Sequence, residues 1–373
     1  MKNIRCNFIL CVFGFFLFIP QVYPQSKLQP GFNAEEYADM LGLTPKAPEL
    51  IHSDQFSVPY PSEYKHVYRS PAGPLDNLWD LYIRDDKIGI IEIRGTTAKT
   101  RSWLENFYTG MVAANGSIQI SENEKFIYKL ADDSRAGVHV GWLTGLASIA
   151  PGIIDKINEY HARGISEYIL MGHSQGGAIA YLLDSYMHYD TLGLLPDDLL
   201  IKTYNSAAPK PGNHYYACDY DYINAGGWAL HVVNTVDWVP QTPISVQTLD
   251  DFTEVNPFVD TETFTSSMGW LQKVVVRSIF RKMERSLEKA QRKLLKYLGF
   301  KLFDFIEPYM DGMVEPVYLE SMNYTPAGTP VILQPTDRYF KEYLPTAKDN
   351  VFKNHLGRAY YFLLKENYPL NRQ

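Results

Sequence analysis

The chain has 373 residues, of which 46% are apolar and 21% are charged. This balance is typical of a globular protein, and it excludes both wholesale disorder and a small scaffold held together by disulfides. Because 35 Lys and Arg residues stand against 42 Asp and Glu, the net charge of −7 argues against a nucleic acid as the main partner.

The first residues have the pattern of a signal peptide. Lys2 and Arg5 precede an apolar run from Phe8 to Ile19, which is too short for a helix that spans a bilayer, since such a helix needs about 20 residues. We therefore expect residues 1–25 to be a signal peptide and the protein to be exported, to the periplasm, the cell surface or the medium. Outside this segment the only cysteine is Cys218, so no internal disulfide is expected.

Helices and strands are predicted to alternate along the next part of the chain. In order, the pattern predicts a helix over Asn33–Leu41, a hairpin of Leu81–Arg84 and Ile88–Ile93, a helix over Trp142–His161, a strand over Tyr168–Met171, a helix over Ala178–Met187, and strands over Leu200–Tyr204 and Leu230–Asn234. Asn33 followed by Glu36 also has the spacing of a capping box. The alternation favours a mostly parallel sheet with helices on both faces, the α/β class.

A long amphipathic segment from Phe264 to Ile306 interrupts this alternation. Its apolar residues recur every three or four positions, and its other face is rich in Lys and Arg. One interpretation is a solvated helix that packs a single stripe on the main domain. The other is a surface that contacts anionic lipid headgroups beside the active site. In either case we expect one domain over residues 26–373 with a helical insert at about 244–320.

Gly172-His173-Ser174-Gln175-Gly176 matches the G-x-S-x-G pattern of a nucleophile elbow. The five residues follow one predicted strand and open the next predicted helix, which is the strand, sharp turn and helix that an elbow requires. Glycine at positions 172 and 176 leaves room where strand and helix approach each other closely. We therefore predict Ser174 as a nucleophile, with an ordinary glycine-rich loop as the alternative.

A serine hydroxyl needs a base to take its proton and a carboxylate to orient that base. In this fold class the chain order is Ser, then Asp or Glu, then His. Asp237 follows a predicted strand at the edge of the sheet where ligands bind, and His355 is the only histidine after it. The sequence thus predicts Asp237 as the acid and His355 as the base. Three other carboxylates remain as alternatives to Asp237, namely Asp250, Asp251 and Asp260.

Ester or amide hydrolysis by a serine also needs N–H donors for the oxyanion. One donor is expected from the backbone of Gln175, directly after the nucleophile, and the other from a loop after an early strand. The strand that ends at Ile93 runs into Arg94-Gly95-Thr96-Thr97, where Thr96 offers both an amide and a hydroxyl. We predict Thr96 and Gln175 as the oxyanion hole, with a simple turn at the strand end as the alternative.

Five motifs in order resemble the class 3, fungal-type lipases of the α/β-hydrolase fold. They are Ile91-Glu92-Ile93-Arg94-Gly95-Thr96 with Trp103, Val138-His139-Val140-Gly141-Trp142-Leu143, Gly172 through Ala178, Val232 through Pro240, and His355 with Tyr360. The resemblance implies Ser174, Asp237 and His355 as the catalytic residues, Thr96 and Gln175 as the oxyanion hole, and Ala98–Asn106 as a lid region. It also implies hydrolysis of carboxylic esters, often triacylglycerols or phospholipids, without a metal or an organic cofactor.

Two features depart from the family pattern. Gln175 stands where Leu is more usual, and the separation between Asp237 and His355 is unusually long because of the insert. We expect an exported serine hydrolase of carboxylic esters, with lipid esters favoured by the aromatic content of 14% and by the amphipathic insert. A phospholipase, a short-chain esterase, a thioesterase and an inactive membrane-binding protein of the same fold are the alternatives.

Overall fold

The computed structural model describes residues 26–44, 58–256, 268–343 and 350–370. The predicted signal peptide, Phe264 at the start of the amphipathic segment and the alternative acid Asp260 lie outside these ranges. The helices are α1 Ala34–Leu43, α2 Thr100–Phe107, α3 Val140–His161, α4 Gln175–Tyr189, α5 His214–Ile223, a basic helix Trp270–Leu295, a short helix Lys301–Ile306 and a C-terminal helix Gly357–Asn367. A π-helical turn, Lys296–Phe300, joins the basic helix to the short helix. No helix in the described ranges is both long and apolar enough to span a membrane.

The strands form one large sheet, one small sheet and a hairpin. They are β1 Tyr64–Arg69, β2 Trp79–Arg84, β3 Gly89–Ile93, β4 Met111–Ala113, β5 Asn115–Gln119, β6 Lys125–Lys129, β7 Gly137–His139, β8 Glu167–His173, β9 Leu200–Ser206, β10 Gly212–Asn213, β11 Ala229–Asn234, β12 Tyr324–Thr325 and β13 Thr329–Leu333. The large sheet has the order β1-β2-β3-β8-β9-β11-β13, and the small sheet has the order β12-β10-β7-β4. In the large sheet β1, β2 and β3 pair antiparallel, and every pair from β3 to β13 is parallel. The predicted α/β class with a mostly parallel sheet is confirmed.

The two faces of the large sheet carry separate apolar cores, because successive side chains of a strand point to opposite faces. Ile91 and Leu170 pack with α3 and α4 on one face. Ile90 and Ile169 pack with α1 and the C-terminal helix on the other face. The central strands are therefore buried on both sides, which explains their nearly continuous apolar sequence.

The predicted N-cap of the first helix is confirmed, but the Glu36 side chain does not complete the predicted capping box. The Asn33 side chain accepts hydrogen bonds from the backbone N–H of Glu35 and Glu36. The Glu36 carboxylate, however, accepts a hydrogen bond from Tyr204 Oη at 2.6 Å and pairs with Lys202 Nζ at 2.6 Å. A buried lysine draws the carboxylate toward the sheet, because a buried charge without a partner is costly.

The chain between β11 and β13 leaves the large sheet and returns to it. Its first and last parts meet in an isolated bridge between Val246 and Met322, and the basic helix lies between them. The parallel strand β13 was not predicted from the sequence. It then places the chain at the sheet edge next to β11, from which the C-terminal segment runs back across the ends of the strands.

Candidate active site

Ser174 lies in the sharp turn between β8 and α4. Its backbone angles are φ 62° and ψ −129°, a conformation that is strained for a residue with a side chain and that is typical of functional sites. A Cβ atom at Gly172 would lie 2.2 Å from the carbonyl oxygen of Gly176, and one at Gly176 would lie 2.0 Å from the carbonyl oxygen of Ile93. Only glycine therefore fits at both positions, and the elbow packs directly on the end of β3.

Asp237 and His355 meet beside this elbow although they are far apart in the sequence. His355 Nδ1 lies 2.7 Å from Asp237 Oδ2, and both side chains are buried. The segment that carries His355 is fixed to the end of β11, because Asn234 Nδ2 donates to the carbonyl oxygen of Asn354 at 2.9 Å. His355 ends a 3-10 turn, Lys353–His355, just before the C-terminal helix.

The Asp237 carboxylate is held ionised by its hydrogen bonds. Burial acts to raise its pKa, but the hydrogen bond and charge of His355, the Val239 backbone N–H and the Tyr360 hydroxyl together lower the pKa below its ordinary value. Tyr360 Oη donates to Oδ2 at 2.7 Å, and the Val239 N–H donates to Oδ1 at 3.0 Å. An ionised Asp237 accepts the Nδ1 proton of His355 and leaves its Nε2 free to act as a base.

His173 connects the elbow to His355. Its ring lies 5.0 Å from the His355 ring between centroids, and its Nε2 lies 2.6 Å from the carbonyl oxygen of His355. Because a carbonyl only accepts, His173 donates from Nε2, and its Nδ1 accepts from Ser206 Oγ at 2.9 Å. Burial and the charge of His355 lower the pKa of His173 to about 3, so its ring is neutral. Within the described residues the Ser174 hydroxyl makes no hydrogen bond, and His355 packs on His173, the residue directly before Ser174.

Thr96 lies on the other side of the elbow. A Cβ at Gly95 would be 3.5 Å from Ser174 Cβ, so the loop after β3 runs directly past the nucleophile. Asn106 Nδ2 donates to Thr96 Oγ1 at 2.8 Å, and Trp142 Nε1 donates to Asn106 Oδ1 at 3.1 Å. The indole therefore fixes which way the Asn106 amide faces, and the Thr96 hydroxyl keeps its own proton available for a ligand.

The buried carboxylate of Asp76 holds the loop that carries Thr96 in place. Asp76 contacts Arg94, Lys99 and Arg101 through its two oxygens and also accepts from Thr97 Oγ1 at 2.8 Å. Burial acts to raise the pKa of Asp76, but these partners lower it below its usual value. Asp76 thus holds the loop in place while ionised, a role that nothing in the sequence pattern had indicated.

The Gln175 side chain ties the elbow to α2. Its Nε2 donates to the Ser102 carbonyl at 3.1 Å, and its Oε1 lies 3.2 Å from Ser102 Oγ. Leucine, more usual at this position in the family that the sequence resembles, could make neither bond. The helix over the predicted lid region, Ala98–Asn106, is thus joined through Ser102 to Gln175 and through Asn106 to Thr96.

Aromatic side chains surround this group of residues on the outside. Trp103 lies 5.6 Å from Phe352 between ring centroids, and Phe352 lies 5.3 Å from Trp238. Phe107 stacks on Trp103 and is 53% exposed, while Trp238 is 42% exposed. The four rings, which we call the aromatic rim, come from α2 and from the segments next to Asp237 and His355.

Other acidic and histidine side chains have structural partners of their own. Asp251 accepts from Thr248 and Ser321, and Asp250 lies beside it in the same 3-10 turn. His231 is buried with its Nε2 3.1 Å from the Ala208 carbonyl. His139 is buried, stacks on Trp142 with centroids 3.6 Å apart, and has its pKa lowered to about 3 by burial. The structure thus brings Ser174, Asp237, His355, Thr96 and Gln175 together and leaves the alternative acids Asp250 and Asp251 outside this group.

Comparisons with known proteins bear on the same region. Residues 90–247 match the family model described as Lipase (class 3). Solved structures of a fungal lipase–inhibitor complex, of the Rhizomucor miehei lipase with its propeptide and of a triacylglycerol lipase from Penicillium expansum are 21%, 21% and 16% identical, with TM-scores of 0.37, 0.36 and 0.35. Each match covers 48% of this chain and 61%, 52% and 63% of those chains, less than two thirds of each. No curated protein sequence matches the chain.

Proposed function

We propose, on the premise that residues 90–247 match the family model described as Lipase (class 3), that the protein is a serine hydrolase of carboxylic esters with lipid esters as substrates. Ser174 is the nucleophile, His355 the general base, Asp237 the residue that orients the base, and the backbone N–H groups of Thr96 and Gln175 form the oxyanion hole. No metal or organic cofactor takes part in the proposed reaction.

The reaction proceeds in two halves. Ser174 Oγ attacks the ester carbonyl carbon while its proton passes to His355 Nε2, and the carbonyl oxygen becomes an oxyanion that accepts from the two N–H groups. As the intermediate collapses, the alcohol leaves with the proton from His355. A water molecule then attacks the acyl enzyme with His355 again as base, and the fatty acid is released as Ser174 recovers its proton.

The observation that supports this proposal best is the pairing of His355 with Asp237 at 2.7 Å next to the elbow. These residues are separated in the sequence by the whole insert. If the elbow were an ordinary glycine-rich loop, there would be no reason for a buried imidazole and a buried carboxylate to meet beside it. The hydrogen bond from His173 to the backbone of His355 supports the same arrangement, because it ties the base to the residue that precedes the nucleophile.

The aromatic rim supports an apolar acyl group in the substrate. Rings that are partly exposed beside a polar catalytic group bury apolar surface when an acyl chain packs on them. Trp238 directly follows Asp237, and Phe352 lies 6.2 Å from the His355 ring between centroids. An ester carbonyl placed at Ser174 would therefore have its acyl chain next to these rings.

Hydrolysis of p-nitrophenyl esters with short and long acyl chains tests the proposal. The wild-type protein is expected to cleave these esters, and Ser174→Ala is expected to lower kcat by about a million-fold, to background. Ser117→Ala, which changes an exposed serine of β5, is the matched control and should keep full activity. A wild-type protein that cleaves neither ester, or a Ser174→Ala variant as active as wild type, would refute the proposal.

We also propose that the protein is exported. The support is the basic start and the short apolar run within residues 1–25. Expression of the full chain in a bacterial host followed by cell fractionation tests this. A chain recovered outside the cytoplasm with its first residues removed is expected, and an uncut cytoplasmic chain would contradict it.

A further inference from the structure

The C-terminal end of the basic helix, Trp270–Leu295, packs against the rest of the protein. Gln291 and Leu295 are its buried residues among those described. Leu294 packs against Met111, Met322 and Tyr324, and the side chain of Gln291 donates to the backbone carbonyl of Glu320. The earlier turns of the helix, up to about residue 287, precede these contacts in the chain, and their side chains are half-buried or exposed.

This part of the helix exposes a row of apolar side chains. Leu271, Val275, Ile279 and Met283 are spaced by four residues, so they follow one another along one side of the helix. They are 61%, 56%, 51% and 55% exposed. Apolar residues that recur with this spacing on a helix of a globular protein normally face its core, so an exposed row of four indicates a surface that becomes covered by something else.

The charge of the helix indicates what covers it. Between residues 270 and 295 it carries eight Lys and Arg residues but only two carboxylates, Glu284 and Glu288, and Glu288 is already paired with Arg292 at 3.0 Å. The whole chain has a net charge of −7, so the positive charge is concentrated in this one element. A long helix with an apolar row and an excess of cations is typical of helices that lie in the interface of an anionic membrane.

We propose that the basic helix docks the protein on anionic phospholipid bilayers. The row Leu271, Val275, Ile279 and Met283 enters the boundary between headgroups and acyl chains, and the Lys and Arg side chains bind anionic headgroups at the surface. Long cationic side chains suit this position because their aliphatic stems lie in the apolar layer while their charges reach the headgroups.

The docked helix connects directly to the candidate active site. The short helix Lys301–Ile306, which follows it after one π-helical turn, packs against α2, and Gly110 N donates to the Leu298 carbonyl at 3.1 Å just after α2 ends. The helix α2 carries Trp103 and Phe107 of the aromatic rim. If the proposed lipid ester hydrolysis holds, docking therefore keeps the entrance to Ser174 close to the surface that contains the substrate; the docking itself does not depend on that activity.

Cosedimentation with lipid vesicles tests the docking. The probes are vesicles of phosphatidylcholine alone and of phosphatidylcholine mixed with phosphatidylglycerol. We expect binding to the mixed vesicles and at least tenfold weaker binding to phosphatidylcholine alone. Binding should weaken on raising the salt from about 0.1 M to about 1 M, because the Debye length falls from about 10 Å to about 3 Å. Equal binding to both vesicles, or to neither, would overturn the proposal.

Two variants separate the charges from the apolar row. The triple variant Lys282→Gln, Arg285→Gln and Lys289→Gln should bind the mixed vesicles about 100-fold more weakly, since each cation near an anionic surface contributes about fivefold. Its control changes three exposed lysines elsewhere, Lys65→Gln, Lys125→Gln and Lys341→Gln, and should bind as wild type does. The double variant Ile279→Gln and Met283→Gln keeps the charges and good helix formers and should bind at least tenfold more weakly.

Two other partners would give different results. If the row were a contact between two copies of the chain, light scattering would show a dimer that the double variant dissociates. If the cations bound a nucleic acid instead, the protein would bind duplex DNA. The triple variant would lose this binding and the double variant would keep it. Either result would overturn membrane docking. Hydrolysis of a soluble p-nitrophenyl ester should be unchanged in both variants. A variant that loses vesicle binding but keeps full activity shows a failure of docking alone. A chain that binds vesicles but has no activity shows a failure of the proposed function alone.

Discussion

Asp237 is the residue on which the hydrogen bonds of the candidate site converge. It accepts from His355, from Tyr360 and from the Val239 backbone N–H while it is almost completely buried. A buried carboxylate with three donors stays ionised, and an ionised carboxylate is what the proposed mechanism requires next to His355. Tyr360 is thus a positioning residue that contacts Asp237 and, in the proposal, never the substrate.

Tyr360→Phe is expected to lower kcat by about threefold to tenfold with little change in KM. The variant loses one of the hydrogen bonds that keep the Asp237 pKa low, and such a bond contributes about 1 kcal/mol. Steady-state kinetics on a p-nitrophenyl ester measures this. Tyr361→Phe, in the next position of the same helix, is the control and should leave kcat unchanged; a Tyr360→Phe variant with unchanged kcat would show that the bond has no part in positioning Asp237.

At the same scale, Ser174 and Asp237 could be predicted because each follows a predicted strand, and His355 because it is the only histidine after Asp237. His173, Ser206 and Asn106 could not be assigned in this way. Their partners come from other elements, and a hydrogen bond between distant residues leaves no periodic pattern in the chain. The role of Gln175 was only half visible, because its departure from leucine was noted but its partner Ser102 was not.

The helix α2 is the element that connects the loop that carries Thr96, the aromatic rim and the insert. Its Glu105 is completely buried and accepts hydrogen bonds from Asn77 Nδ2 at 2.9 and 3.0 Å. Burial raises the pKa of the Glu105 carboxyl well above its usual range, so the folded protein holds this group in its neutral form where the unfolded chain would release the proton. Stability that depends on this proton falls as the pH rises.

Glu105→Gln is therefore expected to remove part of the pH dependence of folding. From the ordinary glutamate pKa of about 4.3 up to the raised pKa, wild type loses about 1.4 kcal/mol of unfolding free energy per pH unit through this group. Relative to wild type, the variant should therefore gain unfolding free energy between pH 5 and pH 8. Urea unfolding at both pH values measures the difference.

The exposed Glu124 supplies the control for this measurement. Glu124→Gln lies on the surface, so its stability should follow that of wild type at both pH values. If the unfolding free energies of wild type and Glu105→Gln changed equally with pH, this would contradict a buried proton on Glu105.

The predicted lid function of Ala98–Asn106 remains a prediction, and the bonds through Ser102, Asn106 and Glu105 are the ones that an opening motion would have to break.

Across the whole molecule, one chain of hydrogen bonds links its two ends through the centre of the sheet. Tyr37 Oη of α1 lies 2.6 Å from Ser206 Oγ at the end of β9, and Ser206 donates to His173, which donates to the backbone of His355. Since Ser206 gives its proton to His173, Tyr37 must donate to Ser206. The N-terminal helix and the C-terminal segment are thus fixed to the same point of the sheet, next to Ser174.

Ser206→Ala is expected to destabilise the protein by about 2–4 kcal/mol, because it leaves the Tyr37 hydroxyl and His173 Nδ1 buried without their partner. It should also lower kcat, since His173 then no longer holds the backbone of His355 firmly. Urea unfolding and ester kinetics measure the two effects. In the double variant Tyr37→Phe and Ser206→Ala, part of the lost stability should return; strictly additive losses would show that the chain is not connected.

The fold could be predicted from the sequence where the strands and helices have a clear apolar pattern. The apolar runs of β3, β8 and β11 are buried on both faces and so predicted a parallel sheet. The strand β13 escaped prediction because only part of it is buried, with Val331 and Leu333 facing the core and Ile332 42% exposed. The small sheet escaped because β10 and β12 have two residues each, too few for any alternation to be recognised.

The central claim is that Ser174 is a covalent nucleophile activated by His355. Incubation with a fluorophosphonate probe, followed by intact-mass measurement and peptide mapping, tests it most directly. We expect one adduct per chain, on Ser174, with no adduct in Ser174→Ala and labelling slowed at least 100-fold in His355→Ala. A folded wild-type protein that takes up no probe, or takes it up on another residue, would contradict the claim.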